Sequence, residues 1–370
     1  MRIGFVGGGT GGHFYPLIAV IEALEAYPVK PELYYIGPTP YEAELLTKHN
    51  VRFIYCPAGK LRLYFSIQNF FDLFRNFFGI FVALFKLYLI YPDVIFSKGG
   101  YTSVPILLAA RFLRIPVVIH ESDAVPGRAN MLARKFARYI AISYTEAASF
   151  FPAGRTALTG IPIRAALRSK DPNPFATLGI PSDLPLIYVT GGSSGAERIN
   201  NILLRTLTQL LPECRIYHQA GAKNLAEISL TAKSLVTDPD LQSRYYLEGL
   251  ISAEKVNALL SAASVVITRA GSTTLFEIAI HGTPSIIIPI PEDISRDQRS
   301  NAYAFARGGG ATVIEEQNLT EALLISEIRS IIGSKERWQQ MSTAAVGFVP
   351  TDAADKIAAI LLQIGQEHES

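Results

Sequence analysis

A histidine closes a run of glycines near the start of the chain, GGGTGGH at residues 7–13, directly after a short apolar stretch and before a helical pattern that opens with Pro16. In a strand-to-helix turn of this kind the backbone amides converge and the helix N-terminus adds about half a positive charge, so the loop is a cradle for an anion. Imidazole is the side chain best tuned to take a proton near neutral pH, which makes His13 a candidate general base beside that cradle. By letters, Gly7, Gly9 and Gly12 also satisfy the dinucleotide fingerprint. That fingerprint requires an acid at the end of the second strand to hold a ribose; here the strand ends in Ile36, Gly37 and Pro38, which argues against a nicotinamide enzyme.

The same device recurs where residues 186–190 run into GGSSG, and two anionic partners explain a second cradle better than one dinucleotide does. Ser194 and Glu197 have capping-box spacing there, which leaves Ser193 free for a ligand. In RAGSTTLFE, residues 269–277, Thr274 and Glu277 fit a capping box too; alternatively Glu277 accepts two hydrogen bonds from a ribose diol. Asp297, Gln298 and Asn301 open a later helix with amides suited to sugar hydroxyls. Lys98 to Tyr101 (KGGY) and His120, Glu121 and Asp123 end two further strands, and the carboxylates there are placed to orient or activate a hydroxyl. The DxD at Asp238 and Asp240 is explained by chance, and no metal is expected.

The elements that must position these residues alternate regularly. Apolar, β-rich runs at 3–6, 33–36, 53–56, 94–96, 117–120 and 139–142 are separated by helical patterns, and the rhythm restarts at 186–190, 215–219, 245–247, 265–268 and 286–289. This is the signature of βαβ units, so the spacing predicts two doubly wound α/β domains joined across the breaker-rich residues 160–185. Ligands are expected at the carboxyl ends of the strands and between the domains. The last helix, about residues 352–363, is free to return to the first domain. Six histidines and two cysteines in 370 residues, with no CxxC, exclude a disulfide framework or zinc site and fit a reducing cytoplasm; no signal peptide is expected at the N-terminus.

One segment is not ordinary core. Ten of the 25 residues 64–88 are aromatic, against 10% of the whole chain. At helical periodicity Phe70, Phe74, Phe77, Phe78, Phe81, Phe85 and Tyr88 share a face, with Asp72, Arg75, Asn76 and Lys86 opposite. The run between Arg75 and Lys86 is about ten residues, short of the roughly 20 that span a bilayer. An interfacial helix is the better expectation, because Lys60, Arg62, Arg75 and Lys86 flank it and suit anionic lipid; packing of the stripe on the sheet is the alternative. Up to Arg164 the chain holds 17 Lys+Arg against 10 Asp+Glu, and beyond it 17 against 22. The N-terminal half is therefore expected to meet something anionic. The hydrophobic fraction of 49% excludes a disordered chain.

Taken together, GGGTGGHFYP, SKGGYTSVP, HESDAVPGRAN, TGIPIR, GGSSGAERIN, RAGSTTLFEIAIHGTP and DQRSNA resemble, in order, the blocks of the bacterial MurG family of glycosyltransferases. The resemblance implies a GT-B fold of two Rossmann-like domains with an interdomain cleft: residues 1–164 for acceptor and membrane, 165–350 for the UDP-sugar, and 351–370 returning to the first. It implies inverting, metal-independent transfer of N-acetylglucosamine from UDP-N-acetylglucosamine to undecaprenyl-diphospho-N-acetylmuramoyl-pentapeptide at the cytoplasmic face of the plasma membrane. No cofactor and no nucleic acid are implied. Thr10, Gly11, Gly12 and His13 would face both substrates, with His13 and Glu121 catalytic. Tyr101, Asp123, Asn130 and Asn200 would lie on the acceptor side. Arg164 and Ser193 would sit by the donor diphosphate, Ile251 against uracil, Thr273 and Thr274 near the phosphates, Glu277 on the ribose, and Gln298 and Asn301 on the sugar. Phe74, Phe77, Phe78, Phe81, Phe85 and Lys86 would meet the membrane. Arg128 departs from the family's usual apolar residue. Another lipid glycosyltransferase, a UDP-N-acetylglucosamine epimerase of the same fold and a noncatalytic binding protein are the alternatives.

Overall fold

The computed structural model describes residues 1–60, 67–192, 195–292, 296–348 and 350–369. The chain divides into two units, Met1–Arg164 with Pro350–Ser370, and Ala165–Val349. In the first unit seven parallel strands, β1 (Arg2–Val6), β2 (Glu32–Gly37), β3 (Arg52–Tyr55), β4 (Val94–Ser97), β5 (Val117–Glu121), β6 (Tyr139–Ile142) and β7 (Thr156–Leu158), form one sheet in the order β3-β2-β1-β4-β5-β6-β7. The order reverses between β1 and β4, and ligands of doubly wound sheets bind at the carboxyl ends beside such a reversal.

The central strands are buried on both faces, which is why they are apolar runs with no polar alternation. One face is covered by Phe14, Leu17, Ile18 and Ile21 of the first helix (Gly11–Glu25) together with Ala354, Ile357, Ala358 and Leu361 of the last helix (Ala353–Glu369). The other is covered by Ala83 and Leu87 of the aromatic helix (Ile67–Ile90) and by Ile106, Leu107 and Ala110 of the helix Val104–Phe112.

The second unit repeats the scheme with β8 (Leu186–Thr190), β9 (Arg215–Gln219), β10 (Tyr245–Glu248), β11 (Val265–Thr268), β12 (Ser285–Ile287) and β13 (Ala311–Val313), all parallel, in the order β10-β9-β8-β11-β12-β13. The capping box at Thr274 and Glu277 does not form, and Ser194 of the other lies outside the described residues. The helix Glu197–Leu210 has Ala196 as its N-cap, and the helix Ser272–His281 has Gly271 as its N-cap. Glu197 is thus the first residue of its helix, while Thr274 lies in the first turn of the other and Glu277 one turn further on.

The aromatic helix is inverted relative to a core helix. Asp72, Gly79, Ala83 and Leu87 form its buried face, whereas Phe77 is 62% and Phe81 55% exposed, and Phe74, Phe78 and Phe85 are exposed with them. Small residues permit close approach: a Cβ at Gly79 would run into the Pro57 carbonyl and the Pro105 ring. Asn76 clamps the neighbouring segment, accepting from Gly59 N at 2.9 Å and donating to Gly59 O at 3.0 Å. The aromatic stripe therefore does not pack on the sheet. It borders an open groove of about 540 Å³ lined by Pro57, Phe71, Phe74, Arg75 and Phe78. Among the described residues one helix, Phe70–Ile90, is long and apolar enough to cross a membrane, a longer stretch than the ten-residue run suggested, because Arg75 and Lys86 leave the mean hydropathy at 1.7. Arg62 lies outside the described residues.

Candidate active site

In the first unit the carboxyl ends of β1, β4 and β5 bring three loops together. Thr10 is the N-cap of the first helix, yet its hydroxyl is not turned onto the helix amides; Oγ1 lies 2.8 Å from His13 Nδ1. The other edge of the ring faces Gly100, where φ is +78° and a methyl group would stand 3.5 Å from Nε2. Burial first and then the Lys98 charge lower the His13 pKa, Asp123 opposes both, and the net value is about 4, so the imidazole is neutral at physiological pH.

Behind His13 lies a buried polar chain. Lys98 follows β4, and its Nζ sits 2.7 Å from His120 Nδ1 and bonds Ser122 Oγ. His120 Nε2 lies 2.8 Å from Gly160 O, which only an N–H can satisfy. The ring therefore carries its proton on Nε2, and Nδ1 accepts from the lysine. Burial lowers the Lys98 pKa, partly offset by Glu121 and Asp123.

Glu121 points inward. Oε1 accepts from Asp123 N at 3.0 Å, and Oε2 accepts from Gly127 N and from Asn130 Nδ2, both at 2.9 Å. The carboxylate expected to activate a hydroxyl is thus engaged with its own loop, and burial, then Asp123, raises its pKa. Asn130 is buried as well; it also donates to His120 O at 3.0 Å, and its Oδ1 has no partner among the described residues. Asp123 is half-buried, while Tyr101 is 37% exposed at the start of a short turn beside Gly9. Arg164, which ends the first stretch of this unit, stacks 4.0 Å over the Tyr15 ring, whose hydroxyl donates to Glu42 at 2.6 Å. Its Nε is buried without a partner among the described residues.

In the second unit Ser193 lies outside the described residues. The start of its loop is set by residues that sequence reasoning missed: Thr190 Oγ1 accepts from Gly192 N at 3.0 Å and donates to Gln219 Oε1 at 2.9 Å, which also accepts from Tyr188. Period-two patterning assigned Tyr188, Thr190 and Gln219 to strands and carried no signal of their shared face. Asn200, expected on the acceptor side, is buried instead, donating to Ala220 O at 3.1 Å and accepting from His218 Nε2 at 3.0 Å. It ties its helix to the end of β9.

Beyond β11, Gln298 Oε1 accepts from Ala270 N at 3.2 Å, and Asn301 Nδ2 donates to Ala270 O at 3.3 Å, so the two amides hold the loop that leads into the helix Ser272–His281. Arg269 anchors the same loop through Glu316 at 2.5 Å and Ile288 O at 3.1 Å. Thr273 and Thr274 are half-buried in the first turn of that helix, and Glu277 is 9% exposed one turn along. Ile251, half-buried, precedes Ser252, which caps the next helix through Lys255 N at 3.3 Å.

Each unit therefore presents a glycine-rich loop and a helix N-terminus at the carboxyl edge of a parallel sheet. Residues 3–142 match the glycosyltransferase family 28 N-terminal domain, and residues 186–357 match its C-terminal domain. A UDP-N-acetylglucosamine--N-acetylmuramyl-(pentapeptide) pyrophosphoryl-undecaprenol N-acetylglucosamine transferase of Treponema denticola is 34% identical over 96% of this chain and 96% of its own. The Borrelia hermsii protein of the same name is 33% identical over 98% of this chain and 96% of its own. Acinetobacter baumannii MurG shares the fold with a TM-score of 0.73 at 23% identity, covering 98% of this chain and all of that one. A UDP-GlcNAc 2-epimerase from Neisseria meningitidis, solved with UDP-GlcNAc bound, shares it at 0.70 and only 15% identity over 98% of this chain and 100% of its own. Two parallel-sheet units of the GT-B type, both matched by the same family and supported by near full-length relatives above 30% identity, establish that this chain is a member of glycosyltransferase family 28.

Proposed function

We propose that the chain transfers N-acetylglucosamine from UDP-N-acetylglucosamine to undecaprenyl-diphospho-N-acetylmuramoyl-pentapeptide, with inversion and without a bound metal. The observation that carries the reading is the neutral His13 imidazole, held by Thr10 at the end of a glycine cradle. With Nδ1–H donating to Thr10 Oγ1, the Nε2 lone pair is left on the Gly100 edge, the tautomer a general base needs. His13 takes the proton of the acceptor 4-hydroxyl as that oxygen attacks the anomeric carbon in line, and UDP departs from the opposite face, which inverts the centre. Tyr101 and Asp123 act on the acceptor side, with Glu121 and Asn130 holding the loop that carries Asp123.

Donor recognition belongs to the second unit. Glu277 binds the ribose, Thr273 and Thr274 approach the phosphates at the helix N-terminus, and Ile251 and Ser193 complete the nucleotide contacts. Negative charge developing on the leaving diphosphate is met by helix-end amides and Arg164. Gln298 and Asn301 read the sugar from either side of the loop they already hold. The exposed aromatic helix, with Lys60, Arg75 and Lys86 near it, rests on anionic lipid at the cytoplasmic face of the plasma membrane.

The epimerase alternative is not favoured, since the relatives above 30% identity carry transferase names and epimerases resemble the chain in fold alone. Incubation with radiolabelled UDP-N-acetylglucosamine and a short-chain lipid acceptor analogue tests the reading. Label in a lipid product, formed one for one with UDP, supports it. Label recovered only in a free epimerised sugar nucleotide, or untouched donor, refutes it.

A further inference from the structure

We propose that Lys98 is a positioning residue of the reaction at His13: its buried ammonium ties the loop after β4 to the loop after β5 and sets a fixed positive charge behind the imidazole. The proposal rests on the reading of His13 as the base. Lys98 is 3% exposed, and a cation so far from water persists only where it is hydrogen-bonded and electrostatically met. Its partners meet both needs. His120 Nδ1, at 2.7 Å, is locked as an acceptor because Nε2 is committed to Gly160 O, and Ser122 Oγ lies on the same amine. The carboxylates of Glu121 and Asp123 face it from the end of β5. One side chain thus staples the two loops from which Tyr101 and Asp123 arise.

The staple also acts on the base. Gly100, two residues after Lys98, lies against the His13 ring, and Gly99 between them packs on Asn130, so the position of that contact depends on where the lysine is anchored. The charged groups facing His13 are Lys98 at the end of β4, which opposes protonation, and Asp123 beyond β5, which favours it. His120 is itself neutral, its pKa lowered by burial and by the same lysine, and adds no charge. Removing the ammonium leaves Asp123 unopposed. The imidazole then binds its proton at higher pH, and the base is lost in the range where the native enzyme still works.

The test compares Lys98→Gln with the native protein. Glutamine keeps an N–H donor for His120 Nδ1 or for Ser122 Oγ, both of which accept from the lysine, but carries no charge. The His13 ring proton, assigned by its disappearance in His13→Ala, is titrated by NMR without substrate, so that the result is independent of whether His13 is the base. The acid limb of kcat/KM is recorded beside it. Expected is an upward move of about one pH unit or more in both readouts, with donor KM unchanged. Should the glutamine variant not fold, Lys98→Met, which fills the same volume without polar atoms, is titrated instead. A His13 titration that stays in place in either folded variant overturns the proposal. A shifted titration with an unmoved acid limb shows the charge effect while removing His13 from the base role, and so overturns the reading on which the proposal rests.

Discussion

At His13 two causes act in the same direction. Burial disfavours the imidazolium and Lys98 repels it, which takes the pKa from its ordinary value of 6.5 to about 4. A base so shifted is unprotonated everywhere above that value, so the acid limb of kcat/KM is expected near pH 4, with activity at pH 5.5 close to that at pH 7. A limb near pH 6.5 in a pH–rate profile contradicts this. Lys98, Tyr101, Glu121 and Asp123 stand at or just past strand ends and His13 in the first helical turn beyond the glycine loop, places that the strand rhythm and the glycines mark in the letters. Their engagements were not legible. Glu121 meets Asn130 only once its loop folds back on itself, and Asn200 meets His218 and Gln298 meets Ala270 only once separate βα units pack, so no local spacing encodes those bonds. The capping box at Thr274 failed because the helix begins at Ser272, which puts Thr274 inside its first turn instead of at the cap.

At the level of elements the aromatic helix is the instructive case. Periodicity separates its two faces but carries no information on which one the protein covers. Gly79, Ala83 and Leu87, with Asp72 and Asn76, fit the close approach of the helix Val104–Phe112 and residues 57–60, and the larger aromatic rings are left outside. Phe77 and Phe81 are more than half exposed, so Phe77→Glu with Phe81→Glu is expected to leave the melting temperature within a few degrees and to lower co-sedimentation with anionic vesicles severalfold. Unchanged vesicle binding by the folded double variant contradicts the membrane role. The strands were legible where they are central and apolar. β7 and β13 were not, being three-residue edges too short to show a period, and β12 ends two residues before its apolar run does.

For the whole molecule, buried imidazoles couple stability to pH. His120 and His218 have pKa values lowered mainly by burial, so below about 6.5 the unfolded chain binds protons that the folded one refuses. Stability is complete above that pH and is lost as pH falls. Glu121, with its pKa raised, acts in the opposite sense, but His13 and His281 are lowered as well, so the imidazoles outnumber it and the unfolded chain binds more protons on balance. The urea midpoint is expected to be lower at pH 5.5 than at pH 7.5, and an equal or higher midpoint contradicts this. The last helix returns to the first unit, where it completes the cover over the first helix, so the chain's two ends share one core. The division of labour between the units is the central claim, with the base in one and the ribose contact in the other. It is tested by measuring kcat and donor affinity together in His13→Ala and Glu277→Ala. His13→Ala is expected to lose about 10²- to 10⁴-fold in kcat with donor affinity by calorimetry unchanged, and Glu277→Ala to weaken donor binding at least about tenfold. Native turnover in His13→Ala, or native donor affinity in Glu277→Ala, contradicts it.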